Sequence, residues 1–498
     1  MIRAFALLLA VLAAGPLRAA GPTAFTADRW TVYGMQRHLV RDDRLPGHGA
    51  VAAAARTAAG ETWSSGAVVT LPDPLAAGAK VSAVFWARAE RPTTVPVALQ
   101  AAADPYTGFA NLTVALRPAW RRVVLTGTAP AALAAGSQVL VVQLGRAGTV
   151  VTLGPVLIMG GAPDTKQIDA AVAASHFDRV AEDVTVVAAP GVMLAGTLRT
   201  PLEHGPGPFP AAMVIAGSGP NGRGGFDLLM NRLLADGIAT FEYDKRGVAQ
   251  STGTFDDTLP TQIADATAAV AMLRGRRELA SDRIALIGHS QGGMIAPAVA
   301  ARDPRVRAVV MLAGPSAPGK QLILGQTTDQ LRAMKLPTAT ITDLDGRVSQ
   351  LLDARARGAD AAEVARLRQA LTEGSLATGL ATPAQAAAAT DMLGSDATLA
   401  LWTYRPDLTL TQVRSPVLAL FGSADTFVPA TTHLPAARAA LAANPDATVV
   451  EVAGVNHGFQ HAKTGTMAEF KALGAPNSAP EMIKLVGNWL DRWLVRTP

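Results

Sequence analysis

The sequence has no cysteine among its 498 residues. That excludes a disulfide framework, a thiol nucleophile and a lipid-modified N-terminal cysteine. Charge is sparse too: 17% charged against 49% apolar residues, the balance of a globular protein with a large core rather than a disordered chain. The formal net charge is only +5, and the basic residues are scattered without a dense Lys/Arg block. Nucleic-acid binding therefore has no support. No G-x-x-x-x-G-K-S/T loop is present to cradle phosphates. The apolar run from Ala4 to Ala14 is too short for a transmembrane span. It follows Met1-Ile2-Arg3, stops at Gly15-Pro16 and precedes the small residues Ala19-Ala20-Gly21, the pattern of a secretory leader over residues 1–20. Arg18 fits the cut site poorly. The expectation is a bacterial periplasmic or secreted protein with no integral membrane span after leader removal.

The length calls for two or three units. Between residues 22 and 162, β-type runs at 67–71, 80–88, 95–99, 111–116, 120–125, 138–144 and 149–153 are separated by Gly/Pro turns. They predict an all-β sandwich domain. Residues 163–183 read as a connector with a short helix. From residue 184 the texture becomes α/β: an opening hairpin at 184–187 and 194–198, then apolar strands at 211–217, 237–243, 284–287, 307–314, 416–422 and 447–454 alternating with helical patterns. This predicts a mostly parallel, doubly wound sheet. Residues 315–411, rich in Ala, Leu and Arg, separate two consecutive strands and read as a helical insertion.

The chemistry gathers at strand ends. Gly288-His289-Ser290-Gln291-Gly292 closes one apolar run and passes into a helical segment. A serine in G-x-S-x-G at such a turn is held in a strained conformation with its hydroxyl projecting. The next two apolar runs after the insertion lead to Asp425 and to His457, giving the order Ser…Asp…His. A serine hydroxyl is a weak nucleophile, so His457 is the candidate general base and acid, and Asp425 the group that orients it. Asp391, Asp396 and Asp446 do not directly follow an apolar strand, which favours Asp425. His457 and His461 have the spacing of a metal pair, yet the glutamate of a zinc-protease motif is missing and Gly458 breaks the helix, so no metal or other cofactor is expected. His289 is read as a packing or hydrogen-bonding residue.

Together these motifs resemble an α/β-hydrolase of the esterase and serine-aminopeptidase-like type, from about Val184 to the C-terminus. The resemblance implies a doubly wound sheet with the 315–411 insertion as a lid. It also implies an oxyanion hole from the backbone N–H of Gln291 and a second N–H in the loop after strand 211–217. Ser218 is the candidate there, with Gly219 as the alternative. Gly217-Ser218-Gly219-Pro220, followed by Arg223 and by Tyr243-Asp244-Lys245-Arg246-Gly247, resembles a secreted "GSGP" subgroup. Asp244 and Arg246 are expected to pair behind the oxyanion hole, while a substrate contact by Arg246 or Arg223 stays open. The N-terminal segment resembles a jelly roll of the carbohydrate-binding-module kind, its Trp30, Trp63, Trp86 and Trp120 being either core or sugar platforms. The reading is a carboxylesterase-type serine hydrolase whose partner is a small-molecule or carbohydrate-linked ester. The alternatives are a peptidase or acyltransferase with the same triad, or a sugar-binding protein with an inactive body. Leu322, Leu324, Met334, Met392 and Trp402 are candidates for an apolar pocket under the lid.

Overall fold

The computed structural model describes residues 22–54, 61–175, 177–473 and 478–496; the expected leader lies outside them. The chain divides into two compact units, Met1–Glu182 and Asp183–Pro498.

Among the described residues the first unit is all-β, with three short 3₁₀ turns, up to one α-helix. Its strands are β1 (Thr23–Phe25), β2 (Thr31–Tyr33), β3 (Gln36–Arg41), β4 (Gly49–Ala54), β5 (Gly66–Leu71) and β6 (Lys80–Ala89). They continue with β7 (Thr93–Ala101), β8 (Gly108–Leu116), β9 (Arg121–Thr128), β10 (Gln138–Gln143) and β11 (Val150–Gly160). One sheet runs β3-β4-β11-β6-β9 with β1 on β11, and the other runs β2-β5-β10-β7-β8. Alternation is clearest in β9, where Val123 and Leu125 are buried while Val124 and Thr126 face out. Trp30, Phe85, Leu99, Leu140 and Leu153 fill one core shared by the two sheets. Trp30 is a core residue: its Nε1 donates to Gly154 O at 2.8 Å and its ring meets Phe85 edge-on. Trp63 is exposed. The strands before Gly66 were not apparent in the sequence, because β3 is charged and β4 is mostly alanine. Pairing with neighbours, not intrinsic preference, makes them strands. Helix α1 (Thr165–Ala174) follows, opened by a capping box between Asp164 and Gln167.

The second unit carries a mixed sheet. Its elements are β12 (Arg179–Ala189), β13 (Val192–Pro201), β14 (Phe209–Ile215), α2 (Asp227–Ala235), β15 (Ala239–Tyr243), α3 (Leu259–Arg274), β16 (Leu279–His289), α4 (Gly292–Arg302) and β17 (Val306–Leu312). The insertion follows as α5 (Gly319–Ala333), α6 (Thr338–Ala356), α7 (Ala361–Ala377), α8 (Pro383–Leu393), α9 (Asp396–Thr403) and α10 (Pro406–Leu410). The chain then resumes with β18 (Val417–Gly422), α11 (Ala430–Ala440), β19 (Ala447–Val452), α12 (Met467–Leu473) and α13 (Pro480–Leu490). The strand order is β12-β13-β15-β14-β16-β17-β18-β19, antiparallel between β13 and β15 and parallel from β15 to β19. Strands β14 and β18 are buried along their whole length, which is why they read as continuous apolar runs rather than alternating ones.

The insertion has its own core around Leu344, Val348, Leu351, Leu352, Leu371 and Trp402. Three pocket candidates are thereby corrected. Trp402 is buried in that core with its Nε1 bonded to Asp353 at 3.0 Å, Leu324 packs against the same core, and Leu322 belongs to the core of the sheet.

Candidate active site

Ser290 follows β16 with φ of +55°, a left-handed conformation that a serine adopts only when its surroundings impose it. The surroundings are glycines. A methyl group on Gly288 would overlap the Gly292 carbonyl, one on Gly292 the Ile215 carbonyl, and one on Gly293 the Cα of Gly314. The turn therefore closes only because strand, helix and neighbouring strands approach backbone to backbone. Ser290 N donates to Leu312 O at 2.9 Å, and Gly293 N donates to Ser290 O at 2.8 Å.

Asp425 and His457 come together from the loops after β18 and β19, which are laced by Ser423 N to Val452 O and Ala424 N to Val455 O, both 3.0 Å. Asp425 is buried. Its Oδ1 accepts the backbone N–H groups of Phe427 and Val428 at 2.8 and 2.9 Å, and its Oδ2 lies 2.8 Å from His457 Nδ1. The carboxylate facing Nδ1 assigns the ring proton to that nitrogen and leaves Nε2 as a base. Among the described residues Ser290 Oγ makes no hydrogen bond, but it and His457 line one cavity of about 520 Å³. His461 stands apart, paired with Glu481 at 3.1 Å. Asp391 and Asp396 are taken up by Arg368 and Arg355 on the insertion.

His289 holds this arrangement from behind. Its Nε2 lies 2.8 Å from His457 O, a carbonyl oxygen, so Nε2 is the donor. Burial, and then the neighbouring His457, push its pKa down to about 4.

The two N–H groups expected to receive an oxyanion face no competitor: among the described residues, neither Gln291 N nor Ser218 N donates a hydrogen bond. Gly219, the alternative, is excluded because its N–H is spent on Asp257 Oδ2 at 2.7 Å. Sequence reasoning missed what lies behind them. Lys245, 2% exposed, reaches Gly217 O and Asp257 Oδ1, both at 2.6 Å, and Gln291 Oε1 at 3.1 Å. Lys245 stands two residues past the buried strand β15 and next to Arg246, and no signal in the sequence singles it out.

The expected pairing of Asp244 with Arg246 is corrected. Asp244 is held by Arg223 through Nε and Nη2, and Arg223 also bonds Asp183, Thr197 and Gln250. Arg246 pairs with the fully buried Asp265 on α3. Both lie past the end of β15, where the chain turns, so nearness in sequence does not make them partners. With these bonds made, Arg223 lines the cavity as a wall rather than as a free cation.

A match to the X-Pro dipeptidyl-peptidase (S15) family runs over residues 157–451, more than half the chain, and takes in Ser290 and Asp425 but stops short of His457. The chain belongs to that family. It is also 30% identical over 162 residues to the esterase EstD of Thermotoga maritima, a stretch covering 31% of this chain and 36% of that one. The alignment thus spans about a third of the relative's length. Among solved structures, an esterase of Pyrococcus furiosus aligns over 63% of this chain and 91% of its own, with 17% identity and a TM-score of 0.41. Est1E of Butyrivibrio proteoclasticus, solved with ferulic acid, aligns over 63% and 98%, with 17% identity and a TM-score of 0.37.

Proposed function

We propose that the second unit is a serine hydrolase that cleaves carboxylic esters through an acyl-enzyme on Ser290. The observation that carries this reading is the meeting, in one cavity, of a strained serine and a histidine oriented by a buried aspartate, with the unspent N–H residue Ser218 on its lining and the unspent N–H of Gln291 next in chain to the serine. His457 Nε2 takes the proton of Ser290 Oγ as the oxygen adds to the ester carbonyl, and Asp425 stabilises the imidazolium that forms. Gln291 N–H and Ser218 N–H receive the oxyanion. His457 then returns the proton to the leaving alcohol, and water repeats the sequence to release the acid.

An ester is favoured over an N-terminal peptide by the acids around the cavity. Recognising a free amino terminus calls for an unpaired carboxylate. Among the described residues the one acid lining this cavity is Glu242, whose Oε1 is held by Arg199 and whose Oε2 accepts Gly224 N–H. Support for an apolar acyl or aryl group comes from the insertion, which we read as a lid. A second cavity of about 500 Å³, lined by Leu331, Met334, Leu336, Leu380 and Met392, adjoins the first at Gln326, which lines both. Gln326 Nε2 is anchored on Phe427 O at 2.9 Å, two residues past Asp425.

The test is a panel of p-nitrophenyl acyl esters and Xaa-Pro amides, with labelling by a serine-directed fluorophosphonate. Esters should turn over and Ser290 should carry the label. Ser290→Ala should lose about 10⁴–10⁶ in kcat while folding normally. Faster cleavage of Xaa-Pro amides than of any ester would replace the ester reading with a peptidase one, and absence of both turnover and label would leave a binding protein. We also propose that residues 1–20 export the chain; N-terminal sequencing of protein recovered from the periplasm or medium checks it.

A further inference from the structure

Lys245 is buried and charged at a place where the mechanism uses no lysine. Its Nζ has three acceptors from three different segments: Gly217 O after β14, Asp257 Oδ1 before α3, and Gln291 Oε1 after Ser290. Asp257 ties the same segments a second time, accepting Gly219 N–H at Oδ2 and Gln291 Nε2 at its backbone oxygen, 2.9 Å away. Burying an ammonium is costly unless paired and fully hydrogen-bonded, and here Asp257 balances the charge.

We propose that Lys245, with Asp257 as its counter-ion, is a positioning residue that aims and strengthens both oxyanion-hole donors. The inference rests on the assignment of Ser290 as nucleophile. Its physical basis is the trans peptide. The Gly217 carbonyl and the Ser218 N–H belong to one planar unit and point in opposite directions. An ammonium on that carbonyl therefore fixes where the N–H points, and by polarising the unit it makes the N–H a better donor. Asn221 Nδ2 reaches the same carbonyl at 2.9 Å, so Gly217 O is doubly held. On the other side, Lys245 and Asp257 grip the two ends of the Gln291 amide and fix the residue whose N–H is the second donor. One cation thus sets both donors without touching substrate.

Lys245→Met keeps the length of the stem and removes the charge. It should lower kcat on a small acyl ester by about 10²–10³, the scale of losing one oxyanion donor, with KM within a few-fold. A boronic acid, which forms a tetrahedral adduct on the serine, should lose affinity by a similar factor, whereas the product carboxylic acid should bind as before. A purely structural role would not separate these two ligands. Asp257→Asn is the second variant, covering the case in which Lys245→Met does not fold; it should lose about tenfold or more in kcat and in boronate affinity together. A folded Lys245→Met, or a folded Asp257→Asn where the first does not fold, with kcat and boronate affinity both near the native values overturns the proposal. Substantial turnover by Ser290→Ala would instead overturn the nucleophile assignment, and so is a distinct failure.

Discussion

Two buried neutral histidines make the α/β unit acid-sensitive in a window where few other groups titrate. His289 is held at a pKa of about 4 by burial first and then by His457, and His433 is held at about 4 by burial. His433 sits on α11 with Nδ1 accepting the N–H groups of Ser316 and Ala317 at 3.1 and 3.2 Å, a role open only to the unprotonated nitrogen. In the unfolded chain both rings protonate near 6.5. Below that pH the unfolded state binds protons that the folded state refuses, so stability is fully present above about pH 6.5 and falls as pH drops toward 4. Each histidine contributes a slope of about 1.4 kcal/mol per pH unit, hence a loss of about 2 kcal/mol each between pH 7 and pH 5. The depressed carboxylates, such as Asp303 and Asp353, lie below 3.8 and titrate outside this window. Urea unfolding at pH 7, 6 and 5, followed by hydrogen exchange in β16 and β17 peptides, isolates this unit from the all-β one. His433→Gln keeps an acceptor and removes the titration. It should shrink the pH 7-to-5 loss by about half, whatever it does to stability at pH 7. A native protein that loses under about 1 kcal/mol over that range, or a variant that loses as much as the native protein, refutes the reasoning.

Gly292→Ala places a methyl group against the Ile215 carbonyl at the end of β14, which leads into the Gly217-Ser218 loop. It should cost about 1–3 kcal/mol in stability and at least about tenfold in kcat, read by thermal melts and ester turnover. Met334→Trp and Met392→Trp narrow the apolar cavity of the insertion. They should shift the acyl-length optimum downward, by a few-fold in kcat/KM per methylene, and leave acetyl esters unchanged. A length profile identical to the native one would mean that the cavity does not receive the acyl chain.

What the sequence made legible was local, and the reason is physical. The turn at Ser290 is written in one pentapeptide because its glycines exclude their own Cβ atoms against backbone only a few residues or one strand away. Strand β18, which delivers Asp425, is apolar throughout because it lies inside the parallel sheet, whereas β19, which delivers His457, is the edge strand and carries Thr448 and Glu451. The sheet order around them follows from the alternation of strand and helix. Charge pairing was not legible. Asp244 and Arg246 are two apart in sequence, and proximity suggested a pair, yet Asp244 faces Arg223 and Arg246 faces Asp265. The strands before Gly66 likewise carry no pattern of their own and exist by pairing.

Lys245 shows where this boundary falls. Its three partners are 12, 28 and 46 positions away, one in the segment before α3, one after β14 and one after β16. Nothing in Tyr243-Asp244-Lys245-Arg246-Gly247 distinguishes which basic residue turns inward. The fold decides it: the loops that end β14, β15 and β16 meet at the carboxyl edge of adjacent strands, and a site built there from backbone N–H groups leaves their carbonyl partners pointing into the protein. Those carbonyls need donors, and an apolar core supplies none. A single long, flexible ammonium can serve several at once, provided a carboxylate neutralises it, and Asp257 is the residue positioned to do so. On the proposed reading, the buried lysine is a consequence of assembling an oxyanion hole from loops rather than from side chains, and its removal should be felt first where those loops aim their N–H groups.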